Sequence, residues 1–334
     1  MQPNILGDVT VSSCDQDSRR MAKRVVIVGA GQAGARVALG LRSARFSGSI
    51  TLIGAEPHLP YERPQLSKEM LTDPTRSLQF IKAVEDWRAA EIDLRLGSAV
   101  IGADPKARVV ALAGGEELPY DLLVLATGTI ARQCAELVGL TVPVHVVRTA
   151  EDAAAIREKL AQGGKVLIVG GGIIGLEVAA AATKTCDVTV IEAGARLFER
   201  GIPAEAAAHL ERLHAENGVR FRYGVRPVSS VGRDTTLSDG SVESADLVIV
   251  GIGVEPPRGI AEMFGLPKES PGLRVNDNAM TECSGVLAVG DATEQFSRCH
   301  DRWMRIETWA NANQQAAAAV AIIMGTSQPA ARSV

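Results

Sequence analysis

The feature that most constrains this chain is a glycine-rich turn that follows a buried strand and opens a helix, and it occurs twice. The apolar run Arg24–Val28 leads into GAGQAG at residues 29–34, and Lys165–Val169 leads into GGGIIG at residues 170–175. Continuous apolar runs of this length are typical of strands buried on both faces of a parallel sheet. The sequence therefore predicts the same supersecondary unit in two places.

Each glycine motif lies in the context that dinucleotide binding requires, since a helical pattern and a second strand follow it. The second strands are predicted at Ile50–Ile53 and Val188–Ile191. The first glycine makes a tight turn, the second lets the backbone approach a diphosphate, and the third packs helix on strand. The diphosphate then lies on the helix N-terminus, which attracts anions. A glycine-rich turn without a ligand is the alternative for either copy.

Further apolar segments define the organisation of the chain. Strands that end in glycine are predicted at 121–128, 246–253 and 285–291, and an apolar helix at 309–324. We predict an α/β fold in which one Rossmann-like dinucleotide-binding domain is inserted into another. The expected domains are a disordered leader at 1–21, a discontinuous first domain at 22–130 and 255–334, and a second domain at 131–254.

The second strands of the two units end in different residues. Glu192 follows Gly170 by 22 residues, close to the spacing of about 20 expected for a carboxylate that binds ribose hydroxyls. It would repel a 2′-phosphate, so the second unit is expected to prefer NADH, although Arg196 favours NADPH. In the first unit the matching position is Gly54, and Glu56 stands two residues later.

Composition excludes several classes of function. The 334 residues carry 35 Lys and Arg against 39 Asp and Glu, with no long basic run, so nucleic-acid binding has no electrostatic support. The five cysteines are scattered without a Cys-x-x-Cys pair, which predicts reduced thiols in the cytoplasm and no metal site. We expect no membrane span, no export signal, and either Met1 or Met21 as the start.

Short motifs carry a family resemblance. Two dinucleotide units, ATG at 126–128 and GD at 290–291 together resemble the flavoprotein disulfide-reductase superfamily. PYERPQLSKE at 60–69 and RIETWANA at 305–312 narrow this likeness, which covers residues 22 to 325, to the ferredoxin reductases of bacterial oxygenase systems. The resemblance implies a glutathione-reductase-like fold with FAD on the first domain and NADH on the second. It also implies a C-terminal domain that is expected to be absent here.

The resemblance also implies which residues bind the cofactors. Those expected to bind FAD, with Glu56 and Trp309 included, are Gly29, Gly31, Gly34, Glu56, Arg63, Lys68, Thr127, Arg132, Asp291 and Trp309. Those expected to bind NADH are Gly170, Gly172, Gly175, Glu192 and Gly253. The resemblance implies that Lys68 and Glu177 pair beside the flavin as the catalytic residues, where a buried lysine would be costly without a partner. A solvated lysine and a helix-surface carboxylate are the alternatives.

Other candidates have plainer alternatives. If Thr308 caps the last helix, its positive end would favour negative charge on the flavin, whereas Trp309 would equally suit core packing. The five histidines are expected to be structural or exposed. Three arginines are candidates for docking an acidic ferredoxin or for a solvated loop: Arg298, Arg302 and Arg305.

The predicted function is a cytoplasmic flavoprotein that passes electrons from NADH through FAD to a [2Fe–2S] ferredoxin. That ferredoxin would serve a ring-hydroxylating dioxygenase or a cytochrome P450. The alternatives are an NADH reductase for rubredoxin or another acceptor, an NADH oxidase, and a non-catalytic module that binds FAD and NADH and senses redox state. Fold-level likeness alone does not choose among them.

Overall fold

The computed structural model describes residues 24–199, 201–266 and 271–326. The expected leader and Cys14 lie outside the described residues. The strands are β1 (Arg24–Val28), β2 (Ser49–Ile53), β3 (Ile92–Arg95), β4 (Val100–Asp104), β5 (Val109–Leu112), β6 (Glu117–Pro119), β7 (Leu122–Leu125), β8 (Ile130–Ala131), β9 (Val144–His145), β10 (Gly164–Val169), β11 (Cys186–Glu192), β12 (Arg220–Tyr223), β13 (Pro227–Val231), β14 (Asp234–Leu237), β15 (Val242–Ser244), β16 (Leu247–Val250), β17 (Val254–Glu255), β18 (Leu273–Val275), β19 (Val286–Ala288), β20 (Thr293–Ser297) and β21 (Arg302–Met304).

The α-helices are α1 (Gln32–Ser43), α2 (Glu69–Thr72), α3 (Val84–Ala89), α4 (Ala150–Ala161), α5 (Ile173–Ala182), α6 (Ala204–Glu216), α7 (Arg258–Met263) and α8 (Trp309–Ile323). Short 3-10 helices lie at Arg63–Ser67, Ala135–Leu137 and Gly290–Ala292. None of the helices in the described part of the chain is long and apolar enough to cross a membrane.

The chain forms two compact units. The first contains the described residues up to Tyr61, then Phe80–Thr129 and those from Pro256 onward. The second contains Glu62–Gln79 and Ile130–Glu255. The sequence predicts Glu62–Gln79 in the first domain, but its short helices pack on α4 and α5 of the second unit.

A five-stranded parallel sheet, in the order β19-β7-β1-β2-β3, forms the centre of the first unit. β1 is the middle strand, and four of its five residues are buried, as the apolar run predicts. On one face α1 packs against α8 and the sheet, with Val37, Leu41 and Ala316 in the core. On the other face Leu123, Leu125 and neighbouring side chains form a second core.

The second unit repeats this plan. Its parallel sheet has the order β12-β11-β10-β16-β9, with β10 in the middle and α5 packed on it. Each unit also contains a small antiparallel sheet of three strands. In sequence, β4–β6 come just before β7, which lies beside the central strand β1, and β13–β15 come just before β16, which lies beside the central strand β10. The predicted α/β fold with two Rossmann-like domains is confirmed. Each glycine motif directly follows the carboxyl end of a central strand, β1 or β10, and ligands bind at the carboxyl ends of the strands in such folds.

Candidate functional site

The glycine loop of the first unit is shaped by backbone packing at two of its three motif glycines. Gly29 has φ +114°, and a Cβ on it would lie 2.1 Å from the carbonyl oxygen of Ala126. A Cβ on Gly34 would lie 1.9 Å from the carbonyl oxygen of Gly29. A Cβ on Gly31, by contrast, would have no heavy atom of the described residues within 4 Å. The middle glycine therefore opens onto free space at the N-terminus of α1.

The loop of the second unit has the same construction. Gly170 has φ +109° and a Cβ on it would lie 2.5 Å from the carbonyl oxygen of Gly251, while one on Gly175 would lie 2.1 Å from that of Gly170. A Cβ on Gly172, at the N-terminus of α5, would again have no described heavy atom within 4 Å. Each unit thus presents a glycine cradle at a helix N-terminus, which fits the diphosphate of a dinucleotide.

Two threonines after β7 have buried hydroxyl groups without a bonding partner. The Oγ1 atoms of Thr127 and Thr129 have no hydrogen-bond partner among the described residues, and Thr129 is only 4% exposed. A buried hydroxyl that makes no hydrogen bond is costly. Both groups are therefore available to a polar ligand at the carboxyl end of β7, where the resemblance predicts that Thr127 binds FAD. Thr129 was not predicted.

A chain of buried amides supports the turn that carries Asp291. The N–H of Gly290, which has φ +79°, donates to Gln315 Oε1 at 2.7 Å. Gln315 Nε2 donates to Thr293 Oγ1 at 2.9 Å and to Gln295 Oε1 at 3.1 Å. Gln315 is 7% exposed, so it links α8 to this turn inside the first unit. The sequence did not indicate this network.

The same amides continue to the N-terminus of α8. Gln295 Nε2 donates to Asn311 Oδ1 at 3.0 Å, and Asn311 Nδ2 donates to the carbonyl of Ile306 at 3.0 Å. Thr308 caps the helix, because its Oγ1 accepts from the backbone N–H of Asn311 at 3.1 Å. Trp309, the first residue of α8, is 58% exposed, which excludes core packing.

The first unit lacks a carboxylate at the usual ribose position for a steric reason. A Cβ on Gly54 would lie 2.8 Å from Ala30 Cβ and 3.2 Å from Leu96 Cδ2. The nearby acid, Glu56, accepts a hydrogen bond from the hydroxyl of Tyr61 at 2.6 Å. Glu56 is therefore hydrogen-bonded to a tyrosine of its own unit, and the expectation that Glu56 binds a cofactor stays a prediction.

The second unit has the expected carboxylate, and it organises the glycine loop. Glu192 Oε2 accepts from the N–H of Gly171 at 2.7 Å, and its Oε1 accepts from the N–H of Gly194 at 2.7 Å. The guanidinium of Arg196 donates to four backbone carbonyls of its own loop, at 2.9 to 3.3 Å. Those contacts hold Arg196 in the loop, and this weakens the alternative that it recognises a 2′-phosphate.

Lys68 and Glu177 form the ion pair that the resemblance implies. Lys68 Nζ lies 3.4 Å from Glu177 Oε1, and the two side chains are 48% and 27% exposed. Both residues belong to the second unit. Ser67, which is 1% exposed, donates its hydroxyl to the other carboxylate oxygen of Glu177. The pair is therefore part of a three-residue cluster.

The remaining expected residues of the second unit contact its backbone. Arg63 Nη1 donates to the carbonyl of Arg148. The backbone N–H of Arg132 donates to the carbonyl of Gly253 at 3.1 Å, and its Nε lies 3.8 Å from Glu255 Oε2. Gly253 has φ +97°, a conformation that favours glycine. Cofactor binding by Arg63, Arg132 and Gly253 stays a prediction.

The arginines near β20 and β21 are partly neutralised. Arg298 forms an ion pair with Asp277 at 3.0 Å, and Arg305 forms one with Glu307. The described residues contain no group of three His, Cys, Asp or Glu side chains that would hold a metal ion.

Two glycine cradles on two parallel sheets define a protein that binds two dinucleotides. The chain belongs to the pyridine nucleotide-disulphide oxidoreductase family, whose model matches residues 23–316. Proteins of this family and fold use FAD and a nicotinamide nucleotide.

Three proteins illustrate the similarity. A ferredoxin–NAD(+) reductase component of the p-cumate 2,3-dioxygenase system of Pseudomonas putida is 45% identical over 309 residues, which is 92% of this chain and 76% of that protein. The corresponding component of the anthranilate 1,2-dioxygenase system of Burkholderia cepacia is 40% identical over 90% of this chain and 75% of its own. A crystal structure of a covalent putidaredoxin reductase–putidaredoxin complex superposes with a TM-score of 0.85 at 36% identity, covering 91% of this chain and 75% of that one.

Proposed function

We propose that this chain is an NADH-dependent ferredoxin reductase that holds FAD in its first unit and NADH in its second. Its acceptor is a ferredoxin of an oxygenase system, as the names of the similar reductases indicate, and we take that ferredoxin to be of the [2Fe–2S] type. The observation that carries the proposal is the repeated glycine cradle, in which the first and third glycines pack on backbone and the middle one stays open. One cradle serves the cofactor and the other serves the electron donor.

A bound FAD would supply the redox chemistry that links a two-electron donor such as NADH to a one-electron acceptor. The residues of the chain bind and orient the reactants. Glu192 binds the ribose hydroxyls of NADH and excludes a 2′-phosphate. Asp291 and the buried hydroxyl of Thr127 bind FAD, and the N-terminus of α8 favours negative charge there. Lys68 and Glu177 orient the nicotinamide, and the Lys68 ammonium offsets charge that develops during electron transfer.

We place this reaction in the cytoplasm. NADH is a cytoplasmic reductant, and the described cysteines Cys134, Cys186, Cys283 and Cys299 are free thiols, as is usual in a reducing compartment. The ferredoxin belongs to the same compartment and binds transiently.

Anaerobic flavin spectroscopy tests the proposal directly. The full chain is loaded with FAD and mixed with NADH or NADPH while the flavin absorbance is followed. We expect NADH to bleach the flavin at least tenfold faster than NADPH, since a carboxylate at the ribose repels a phosphate. A chain that takes up no FAD, or that NADH does not bleach, contradicts the proposal.

The acceptor is tested separately. The NADH-treated protein is offered a [2Fe–2S] ferredoxin, a rubredoxin or oxygen, and the loss of NADH is measured for each. Fastest turnover with the ferredoxin supports the proposal. Fastest turnover with rubredoxin or oxygen indicates the other acceptors, and bleaching without turnover indicates a redox-sensing module.

A further inference from the structure

Ser67 and Lys68 contact the same carboxylate although they are adjacent in sequence. Ser67 Oγ donates to Glu177 Oε2, and Lys68 Nζ lies 3.4 Å from Glu177 Oε1. Adjacent residues of a regular helix do not face the same partner. Here the backbone leaves helical geometry at Lys68, with φ −118° and ψ −107°, between the 3-10 helix that ends at Ser67 and α2. This break lets both side chains reach Glu177 on α5.

The two contacts differ in environment. Lys68 is 48% exposed, and ion pairs with one long, exposed partner fix geometry poorly because solvent screens them and the side chain stays mobile. Ser67 is 1% exposed, and its short side chain donates a hydrogen bond to an ionised acceptor, which is among the stronger kinds. The orientation of the Glu177 carboxylate is therefore set by Ser67 more than by Lys68.

We propose that Ser67 is a positioning residue for electron transfer from NADH, acting through Glu177. Its hydroxyl holds Oε2, which leaves Oε1 directed at Lys68. This inference rests on the proposed function, in which Lys68 and Glu177 orient the nicotinamide. Ser67 itself is nearly inaccessible to solvent, so its contribution passes through the carboxylate that it binds.

The test is a double-mutant cycle of Ser67→Ala and Glu177→Ala on the FAD-loaded chain. Anaerobic rapid mixing with NADH yields the limiting rate of flavin bleaching and the NADH concentration that gives half of it. We expect Ser67→Ala to lower the limiting rate about tenfold and to change the half-saturating concentration less than about twofold. In the Glu177→Ala background, Ser67→Ala should change neither value, because the acceptor of its hydrogen bond is gone.

A crystal structure of the Ser67→Ala protein provides a readout that does not depend on turnover. We expect the Glu177 carboxylate to rotate, so that its nearest oxygen lies beyond the ion-pair limit of about 4 Å from Lys68 Nζ. Ser67→Cys, which keeps a weaker donor, should react at an intermediate rate. This second variant also preserves the test if Ser67→Ala folds poorly.

Ser230→Ala is the matched control. Ser230 is 9% exposed in the same unit, and its hydroxyl bonds the carbonyl of Glu136 and the N–H of Gly139. Its loss should lower the melting temperature without changing the limiting rate. If the wild-type flavin is not bleached by NADH, the proposed function fails. If it is bleached and Ser67→Ala reacts at the same rate, or slows equally in both backgrounds, the role of Ser67 is wrong.

Discussion

Glu192 Oε2 lies 2.7 Å from the backbone nitrogen of Gly171, so the acid that ends β11 also fixes the glycine loop that ends β10. The other carboxylate oxygen accepts from Gly194 at 2.7 Å. One side chain thus joins the diphosphate cradle and the ribose position of the second unit. A change at Glu192 should therefore affect both the shape of the loop and the choice of nucleotide.

We expect Glu192→Gln to weaken NADH binding at least tenfold and to improve NADPH binding only by the loss of charge repulsion at the ribose. The neutral amide keeps one acceptor oxygen but loses a charge-assisted hydrogen bond, worth about 1.5–3 kcal/mol. NADPH is no longer repelled but finds no cation for its phosphate, because Arg196 stays bonded to the carbonyls of its own loop. Calorimetric titration with both nucleotides measures this, with Glu216→Gln on the exposed face of α6 as the control. Tight NADPH binding by Glu192→Gln would show that Arg196 leaves its carbonyls.

Alanine substitutions in the glycine loops should affect either cofactor binding or stability, depending on which glycine is replaced. Gly31→Ala should fold normally but bind FAD weakly, and Gly172→Ala should keep FAD but bind NADH weakly, because each added methyl group enters only the open cradle. Gly34→Ala should instead lower stability by several kcal/mol, since its Cβ would lie 1.9 Å from a carbonyl oxygen. Melting curves and flavin fluorescence distinguish these outcomes. Normal FAD affinity in Gly31→Ala would place the diphosphate elsewhere.

Lys68→Met should slow flavin bleaching by NADH at least tenfold while leaving FAD content unchanged. The variant keeps an unbranched side chain of similar length and removes the charge that pairs with Glu177, which leaves the carboxylate without its cation. Lys184→Met, at an exposed lysine of the same unit, is the control and should react at the wild-type rate. An unchanged rate in Lys68→Met would remove the ion pair from the mechanism.

Gln315→Leu should weaken FAD binding and lower stability by about 1–3 kcal/mol. The leucine leaves the N–H of Gly290 without its acceptor and breaks the amide chain toward Asn311. The turn that carries Asp291 then loses its support. Gln314→Leu changes the exposed neighbour on α8 and should leave both quantities near wild type. Flavin fluorescence and urea unfolding measure them, and equal effects of the two variants would argue against the network.

His214 predicts a pH dependence of stability. Burial lowers the pKa of this imidazole below its usual 6.5, and its ring meets Phe221 edge-on at 6.4 Å. The unfolded chain therefore binds a proton more readily than the folded chain, so the contribution of His214 is lost as pH falls through about 6.5. We therefore expect the free energy of unfolding of His214→Phe to rise relative to that of the wild type as the pH falls from about 7.5 to about 5.

The matched measurement uses His209→Phe, since His209 lies exposed on the same helix. Urea midpoints of both variants and the wild type are compared at the two pH values. Only for His214→Phe should the difference in urea midpoint from the wild type change with pH. An equal shift in both variants would assign the effect to the helix surface.

The parts of the fold that sequence predicts are those with local causes. β1, β10 and the glycine turns follow from apolar runs and from motifs only a few residues long, and Glu192 follows from a fixed spacing. The Ser67 hydroxyl finds its acceptor 110 residues away, and Gln315 bonds a turn 25 residues before it. No local pattern encodes such partners, because they depend on which elements meet after folding.

Prediction from sequence is also incomplete for residues within the glycine motif and next to it. The sequence predicts three glycines with separate tasks, and the structure gives the distances that separate them. The sequence does not show that Gly54 cannot carry a side chain, because Ala30 and Leu96 occupy that space only in the folded protein. The missing carboxylate of the first unit is a packing result.

The placement of Glu62–Gln79 in the second unit has a consequence for biosynthesis. This segment leaves the ribosome about 100 residues before α5, the helix that bears its partner Glu177. The first unit must in turn wait for β19 and α8, which are translated after the whole second unit. Neither unit can be completed, or cut out of the gene, as one uninterrupted stretch, so both stay unfinished during synthesis of the second unit, with strand edges exposed to wrong pairing.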